Sequence, residues 1–147
     1  MRSPKVKQLG RKLTKSEQMA RVRSKNTGPE LLLRRALWRC GLRYRLGVAV
    51  PGSPDLAFRK AKVAVFVDGC FWHACPKHYR APIRNAAFWR RKIERNIARD
   101  RRIDLALAEL GWSVVRIWEH DLKGDISSAV QRVCEICGEP YAIQRKC

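Results

Sequence analysis

The chain has 147 residues, 46% of them hydrophobic, which suits one domain with a buried core and excludes wholesale disorder. Against 13 Asp and Glu stand 32 Lys and Arg, and the formal charge of +19 attracts phosphate backbones, making nucleic acid the expected partner. There is no apolar run of about 18 residues and no apolar segment after Met1. The sequence therefore reads as cytosolic, with its 6 cysteines as metal ligands or thiols rather than a disulfide framework.

Residues 1–28 are polar and basic, with Lys5, Lys7, Arg11, Lys12, Lys15 and Arg21 among few large apolar residues, and predict a flexible arm that orders along a phosphate backbone. Residues 29–147 are expected to form a single domain. Thr27 can cap a helix and Glu30 can complete a capping box ahead of Leu31, Leu33 and Leu37, with Gly41 ending the helix. A short extended piece around Arg43–Leu46 follows, then a turn at Pro51-Gly52-Ser53-Pro54 and a strand over Asp55–Phe58. Val63–Val67 is apolar throughout and largely β-branched, as in a strand buried on both faces. Phe88, Trp89, Ile93, Ile97, Ile103, Leu107 and Leu110 fall at helical spacing up to Gly111, predicting one long helix with an arginine-rich outer face. Trp112–Trp118 reads extended, and Ile126, Ala129, Val130 and Val133 predict a closing helix. The expected α/β order is helix, three strands, helix, strand, helix.

The third strand runs into Gly69-Cys70-Phe71-Trp72-His73. Cys70, Cys75 and His78 have the spacing C-x4-C-x2-H, and His120, just past the last strand, can return beside them. Four such ligands make a closed tetrahedral zinc site, structural because no position is left for substrate; the alternative is two thiols beside two surface histidines. His73 cannot comfortably share that ion and is available as a base, its ordinary pKa lying near neutrality, although a lone histidine is more often structural. Asp55 follows Pro54 at the start of a strand, upstream of a second strand that ends nearby. That arrangement presents a hard carboxylate to Mg²⁺ beside a phosphodiester, although Pro-Asp is also a common turn pair. Glu30 and Asp100 are further carboxylates for such a centre, with helix capping and pairing to neighbouring arginines as their alternatives. Asp68 could reach the same metal from the strand end. Phe71 and Trp72, with Trp89 opening the basic helix, have the makings of a wedge that enters a base stack, which costs least at a mismatch. Core packing is the alternative for Trp89.

These residues resemble the very short patch repair endonucleases, bacterial enzymes that nick DNA at T:G mismatches. The resemblance runs from Arg23-Ser24-Lys25-Asn26-Thr27 and Pro29-Glu30 through Tyr44-Arg45, Pro51-Gly52-Ser53-Pro54-Asp55 and Gly69-Cys70-Phe71-Trp72-His73. It continues with Phe88-Trp89, Asn96, Arg99-Asp100-Arg101-Arg102, Gly111-Trp112 and Trp118-Glu119, so that it covers about Arg21 to Leu122. The GCFWH block is highly specific. The resemblance implies a restriction-endonuclease-like core with a structural zinc, and Mg²⁺-dependent hydrolysis of the phosphodiester 5′ to the mismatched thymine. By the matching motifs Asp55 would bind the magnesium, His73 would be the general base, and Glu30 and Asp100 would assist. Phe71, Trp72 and Trp89 would intercalate, with Arg23, Lys25, Asn26, Lys92 and Arg101 on the DNA beside them. The zinc would take Cys70, Cys75, His78 and His120.

The chain departs from the family pattern in places. His120 stands where many members have a cysteine, and Cys75-Pro76-Lys77-His78 replaces a histidine-rich run; both changes exchange one zinc ligand type for another. The Glu-x-Lys usual on the strand after Pro-Asp is absent, Val65-Phe66-Val67 standing there, so the magnesium would lean on Asp55, a strand carbonyl and Asp68. Cys134 and Cys137 form a C-x2-C with no fourth ligand in view and read as thiols, with Cys147 beyond. The expected partner is double-stranded DNA holding a T:G mismatch, with mismatch-repair proteins as further candidates and no membrane. A monomer in the bacterial cytoplasm, gathered at the nucleoid through DNA, is the expected state. Two other readings stay open: a nuclease of this fold with a different DNA target, and a zinc-stabilised DNA-binding protein without catalysis.

Overall fold

Strand β2, Val63–Asp68, is the centre of the computed structural model, which describes residue 12, residues 14–20 and residues 25–138. Its side chains alternate between two cores, Val63 and Val65 into one and Ala64 and Phe66 into the other, so the continuous apolar run is explained by burial on both faces. Strand β1, Leu56–Phe58, pairs with β2 antiparallel, and β3, Ser113–Trp118, pairs with it parallel on the other side. A parallel pair needs a long crossover, and helix α3, Ala86–Glu109, provides it. Ile103 and Leu107 of α3 cover the Ala64 and Phe66 face.

The other face is covered by α2, Gly28–Arg39, with α4, Glu119–Lys123, and α5, Ile126–Cys137. Leu33, Leu37, Leu122, Val130 and Val133 meet Val63, Val65, Val115 and Ile117 there. Each such side chain stabilises by about 1.5–3 kcal/mol when fully buried, so this larger core dominates the hydrophobic contribution. Cys134 is fully buried in it and Cys137 packs against it, which accounts for the C-x2-C pair as core residues of α5. Cys40, at the end of α2, packs against the same core.

The mixed α/β architecture matches the expected one, with three differences in detail. Arg43–Leu46 forms no strand: Arg45 makes a single bridge to Ala57, because β1 is only 3 residues long and Gly47, at φ +64°, turns the chain away. The sheet therefore has three strands in the order β1-β2-β3, two of them ahead of α3. Helix α4 is a single turn continuing directly from β3, too short for a periodic signal. Within the basic N-terminal stretch, Lys15–Ala20 forms helix α1; Thr14 Oγ1 accepts from the Glu17 N–H and the Glu17 carboxylate accepts from the Thr14 N–H, a reciprocal cap written in the sequence as T-x-x-E. Among the described residues no helix is long and apolar enough to cross a membrane.

The turn before Asp55 is held by a glycine contact. Gly52 has φ +83°, and a Cβ there would lie 2.4 Å from Cγ2 of Ile103, a β-branched side chain with little room to yield. Gly52→Ala is expected to lower stability by about 1–3 kcal/mol, from left-handed strain and overpacking together, as read from denaturant unfolding. An unchanged midpoint would show that α3 does not clamp this turn.

Candidate active site and metal centre

The antiparallel register that sets Leu56 against Val65 carries Asp55 to the far end of β2. There the Asp55 N–H donates to the Val65 carbonyl at 3.0 Å, and its Oδ2 accepts from the Val67 N–H at 2.6 Å. Burial, with the carboxylates of Glu30 and Asp68 nearby, raises the Asp55 carboxyl to about 7 even against the Val67 bond. Glu30, only 3% exposed, comes from the first turn of α2. Thr27 caps that helix as expected, accepting from the Glu30 N–H, but the Glu30 carboxylate reaches past Thr27 to the Asn26 N–H at 2.9 Å and to Arg34 at 3.2 Å. Asn26 in turn accepts from Arg34 at 2.8 Å, so it braces Glu30 from outside. Glu30 is thus both a cap residue and a wall of the site. Half-buried Asp55 and buried Glu30 together make a carboxylate pair that would suit a hard divalent cation.

Glu30, Asp55, Phe71, Trp72, His73 and Lys92 line one cleft of about 610 Å³. His73 enters it from the loop after β2. Its Nδ1 bonds the carboxylate of Asp100 on α3; a carboxylate only accepts, so Nδ1 carries the hydrogen and, in the neutral ring, Nε2 keeps its lone pair. Asp68 lies 3.8 Å from Nε2, but its own strong partner is Arg116, at 3.1 Å. Burial raises the Asp68 carboxyl, against the attraction of His73 and Arg116. Asp68 is not among the residues lining the cleft, and it bonds Arg116 of β3.

The four cysteine and histidine residues meet on the other side of the loop. Their ligand atoms all lie within 4.8 Å of one another, and this is the one such group of three or more among the described residues. Cys70 Sγ is 3.3 Å and Cys75 Sγ 3.5 Å from His120 Nδ1, and Cys75 Sγ is 3.7 Å from His78 Nδ1. Bonds of about 2.3 Å to sulfur and about 2.0 Å to nitrogen at a tetrahedral angle would set S and N about 3.5 Å apart, so the donor set fits one zinc ion. His120 Nε2 is 3.2 Å from Asp121, the outer carboxylate that commonly orients a ligating histidine. Burial, with the neighbouring Cys75 sulfur, raises the Cys70 thiol to about 11 in the metal-free site, a charge deficit a divalent ion would reverse. The cluster ties the start of the loop to α4, helped by Glu119, which accepts from the Cys70 N–H at 3.3 Å.

Phe71 and Trp72 lie on this loop, both partly exposed, with ring centroids 5.3 Å apart. Trp89 is only 3% exposed and packs under both at 5.4 and 6.1 Å, so in this state it is the floor of the cluster and not a projecting wedge. Lys92 lies over Trp72 at 5.1 Å and over Trp89 at 5.5 Å, and Lys15 of α1 lies over Phe71 at 4.7 Å. Asn96 donates to the Trp72 carbonyl at 3.2 Å and fixes the loop to α3. Lys25 and Arg101 are exposed, and Arg23 lies outside the described residues.

Two contributors escape sequence reading. Glu119 sits in a Trp-Glu pair whose contact to Cys70 spans 49 positions. Arg116, the one charge within the apolar β3 run, signals its importance by that position alone and proves to bond Asp68 and Asp104 together.

A family model described as DNA mismatch endonuclease Vsr matches residues 9–79 of the chain. The chain is 45% identical over 122 residues to the type II nicking enzyme V.NaeI of Lentzea aerocolonigenes, with 79% of this chain and 74% of that protein covered. It is 46% identical over 114 residues to the type II nicking enzyme V.NmeDIP of Neisseria meningitidis serogroup C, covering 76% and 77%. To the DNA mismatch endonuclease Vsr of Escherichia coli (strain K12) it is 34% identical over 140 residues, 90% of each chain.

Proposed function

Since the chain belongs to the DNA mismatch endonuclease Vsr family, a family of DNA endonucleases, we propose that it nicks duplex DNA at T:G mismatches, hydrolysing the phosphodiester 5′ to the thymine with Mg²⁺. The observation that carries the reading is the juxtaposition, in one cleft, of the carboxylates of half-buried Asp55 and buried Glu30, the His73 imidazole, and the partly exposed Phe71 and Trp72. Asp55 and Glu30 would hold the cation, which would withdraw charge from the phosphate. His73 takes the proton of the attacking water at Nε2, and Asp100 holds the ring and stabilises the imidazolium that results. Phe71 and Trp72 enter the stack beside the mismatch, with Trp89 as their support and Lys92 on the phosphates. Lys25, Arg101 and the basic N-terminal residues, Arg23 among them, add sequence-independent backbone attraction. The core is of the restriction-endonuclease-like type, and the protein acts as a monomer, one site serving one nick.

Cleavage of T:G, U:G and fully paired duplexes with the same flanks tests this reading. A nick confined to T:G is expected. Equal cutting of all three would make the chain a nuclease of another specificity, and binding without cutting would make it a DNA-binding module.

Zinc at Cys70, Cys75, His78 and His120 keeps the Phe71–His73 loop rigid in this proposal. The purified protein is expected to carry one zinc per chain by elemental analysis. Cys75→Ser should deplete it and lower the melting temperature by about 5 °C or more. Full stability without zinc would contradict a structural ion.

A further inference from the structure

Arg116 lies inside β3, opposite Phe66 in the register, with its guanidinium 4.4 Å from the Phe66 ring on the face covered by α3. From there its fork reaches two elements. One nitrogen, Nη1, bonds Asp68 at the end of β2 at 3.1 Å. Nε and Nη2 bond Asp104 of α3 at 3.0 and 2.7 Å. Asp100, one turn earlier on α3, offers its backbone carbonyl to Nη2 at 3.4 Å and its carboxylate lies 3.8 Å from Nη1. The two carboxylates that flank the His73 ring, Asp100 at Nδ1 and Asp68 at 3.8 Å from Nε2, are therefore both neighbours of one rigid guanidinium.

We infer that Arg116 is a positioning residue for the nicking reaction: it engages Asp68 and fixes the Asp100 turn of α3, so that Asp100 alone directs the His73 ring and Nε2 stays open to the cleft. This rests on the reading of His73 as the base. Without Arg116, the buried Asp68 has His73 as its remaining nearby donor, and a closing of that 3.8 Å gap would occupy the nitrogen the reaction needs. Lysine cannot replace the fork, because one ammonium cannot span Asp68 and Asp104 in fixed geometry.

The test is a cycle of Arg116→Met and His73→Ala, singly and together, with single-turnover nicking rates at saturating T:G duplex, duplex affinity and zinc content measured for each. Arg116→Met is expected to slow nicking by about 10- to 100-fold, with affinity within about twofold and one zinc retained. In the His73→Ala background the same change should have less than about a twofold effect, since the group it positions is gone. A loss of equal size in both backgrounds would assign Arg116 to folding or DNA binding and overturn the inference, as would full activity of Arg116→Met beside an inactive His73→Ala. Full activity of His73→Ala would instead remove the base reading, and the inference with it. Should Arg116→Met fold poorly, Arg116→Lys keeps a cation between Asp68 and Asp104, and a slowing of about tenfold that likewise disappears with His73→Ala is expected.

Discussion

Replacing His73 with alanine is expected to slow nicking of a T:G duplex by about 10²–10⁴-fold, the usual contribution of a positioned general base, or about 3–5 kcal/mol of barrier. Duplex affinity and zinc content should stay within about twofold of the parent. The separation follows from the loop. Its backbone turn is held by the His73 N–H donating to the Gly69 carbonyl, by Asn96 on the Trp72 carbonyl and by the cluster around Cys70 and Cys75, none of which uses the imidazole. Asp100→Asn keeps the ring in place less well, and a loss of about 10- to 100-fold is expected there. Single-turnover rates with excess enzyme measure both. Nicking by His73→Ala at the parent rate would sink the mechanism.

Asp55→Asn should slow nicking severely while making the metal-free protein more stable. As the proposed cation ligand, Asp55 would support several kcal/mol of charge stabilisation, so a rate loss of about 10²–10⁴-fold is expected. As a half-buried acid beside Glu30 and Asp68 it is a liability without an ion: its carboxyl is raised to about 7 from an ordinary 3.8. Between those values the folded chain keeps a proton that the unfolded chain has released, so stability falls as pH rises from about 4 to about 7 and stays lowered above it. Asparagine carries no such charge and can still accept from the Val67 N–H. In EDTA at pH 8 the variant is expected to melt about 3 °C or more above the parent, the gap narrowing towards pH 4. Mg²⁺ should raise the melting temperature of the parent and leave Asp55→Asn unmoved. A variant less stable than the parent at pH 8 would contradict the electrostatic account.

What could be read from the sequence is what depends on local pattern. The β2 run and the α3 periodicity give elements directly because burial leaves its period in the residue types, and Cys70, Cys75, His78 and His120 come together because ligand spacing and a strand end limit where they can go. Asp55, Glu30, His73 and Asp100 likewise converge, the first three in one cleft and Asp100 on the His73 ring. Long-range pairing is what the sequence conceals. The position of Asp68 at a strand end gives no sign of the partner that the parallel register of β2 and β3 brings to it, Arg116. Trp89 could be wedge or core, and only the packing of α3 under the loop makes it the floor on which Phe71 and Trp72 rest. The extended Arg43–Leu46 piece had strand character but met a β1 too short to pair with it beyond one bridge.

The most direct measurement is strand-specific mapping of cleavage on an end-labelled duplex with a single T:G pair, in Mg²⁺ and in EDTA, beside the matched T:A duplex. A Mg²⁺-dependent nick immediately 5′ to the thymine, absent from the T:A duplex and from the opposite strand, is the predicted result. Cutting that survives EDTA, or falls equally on matched DNA, would contradict the account.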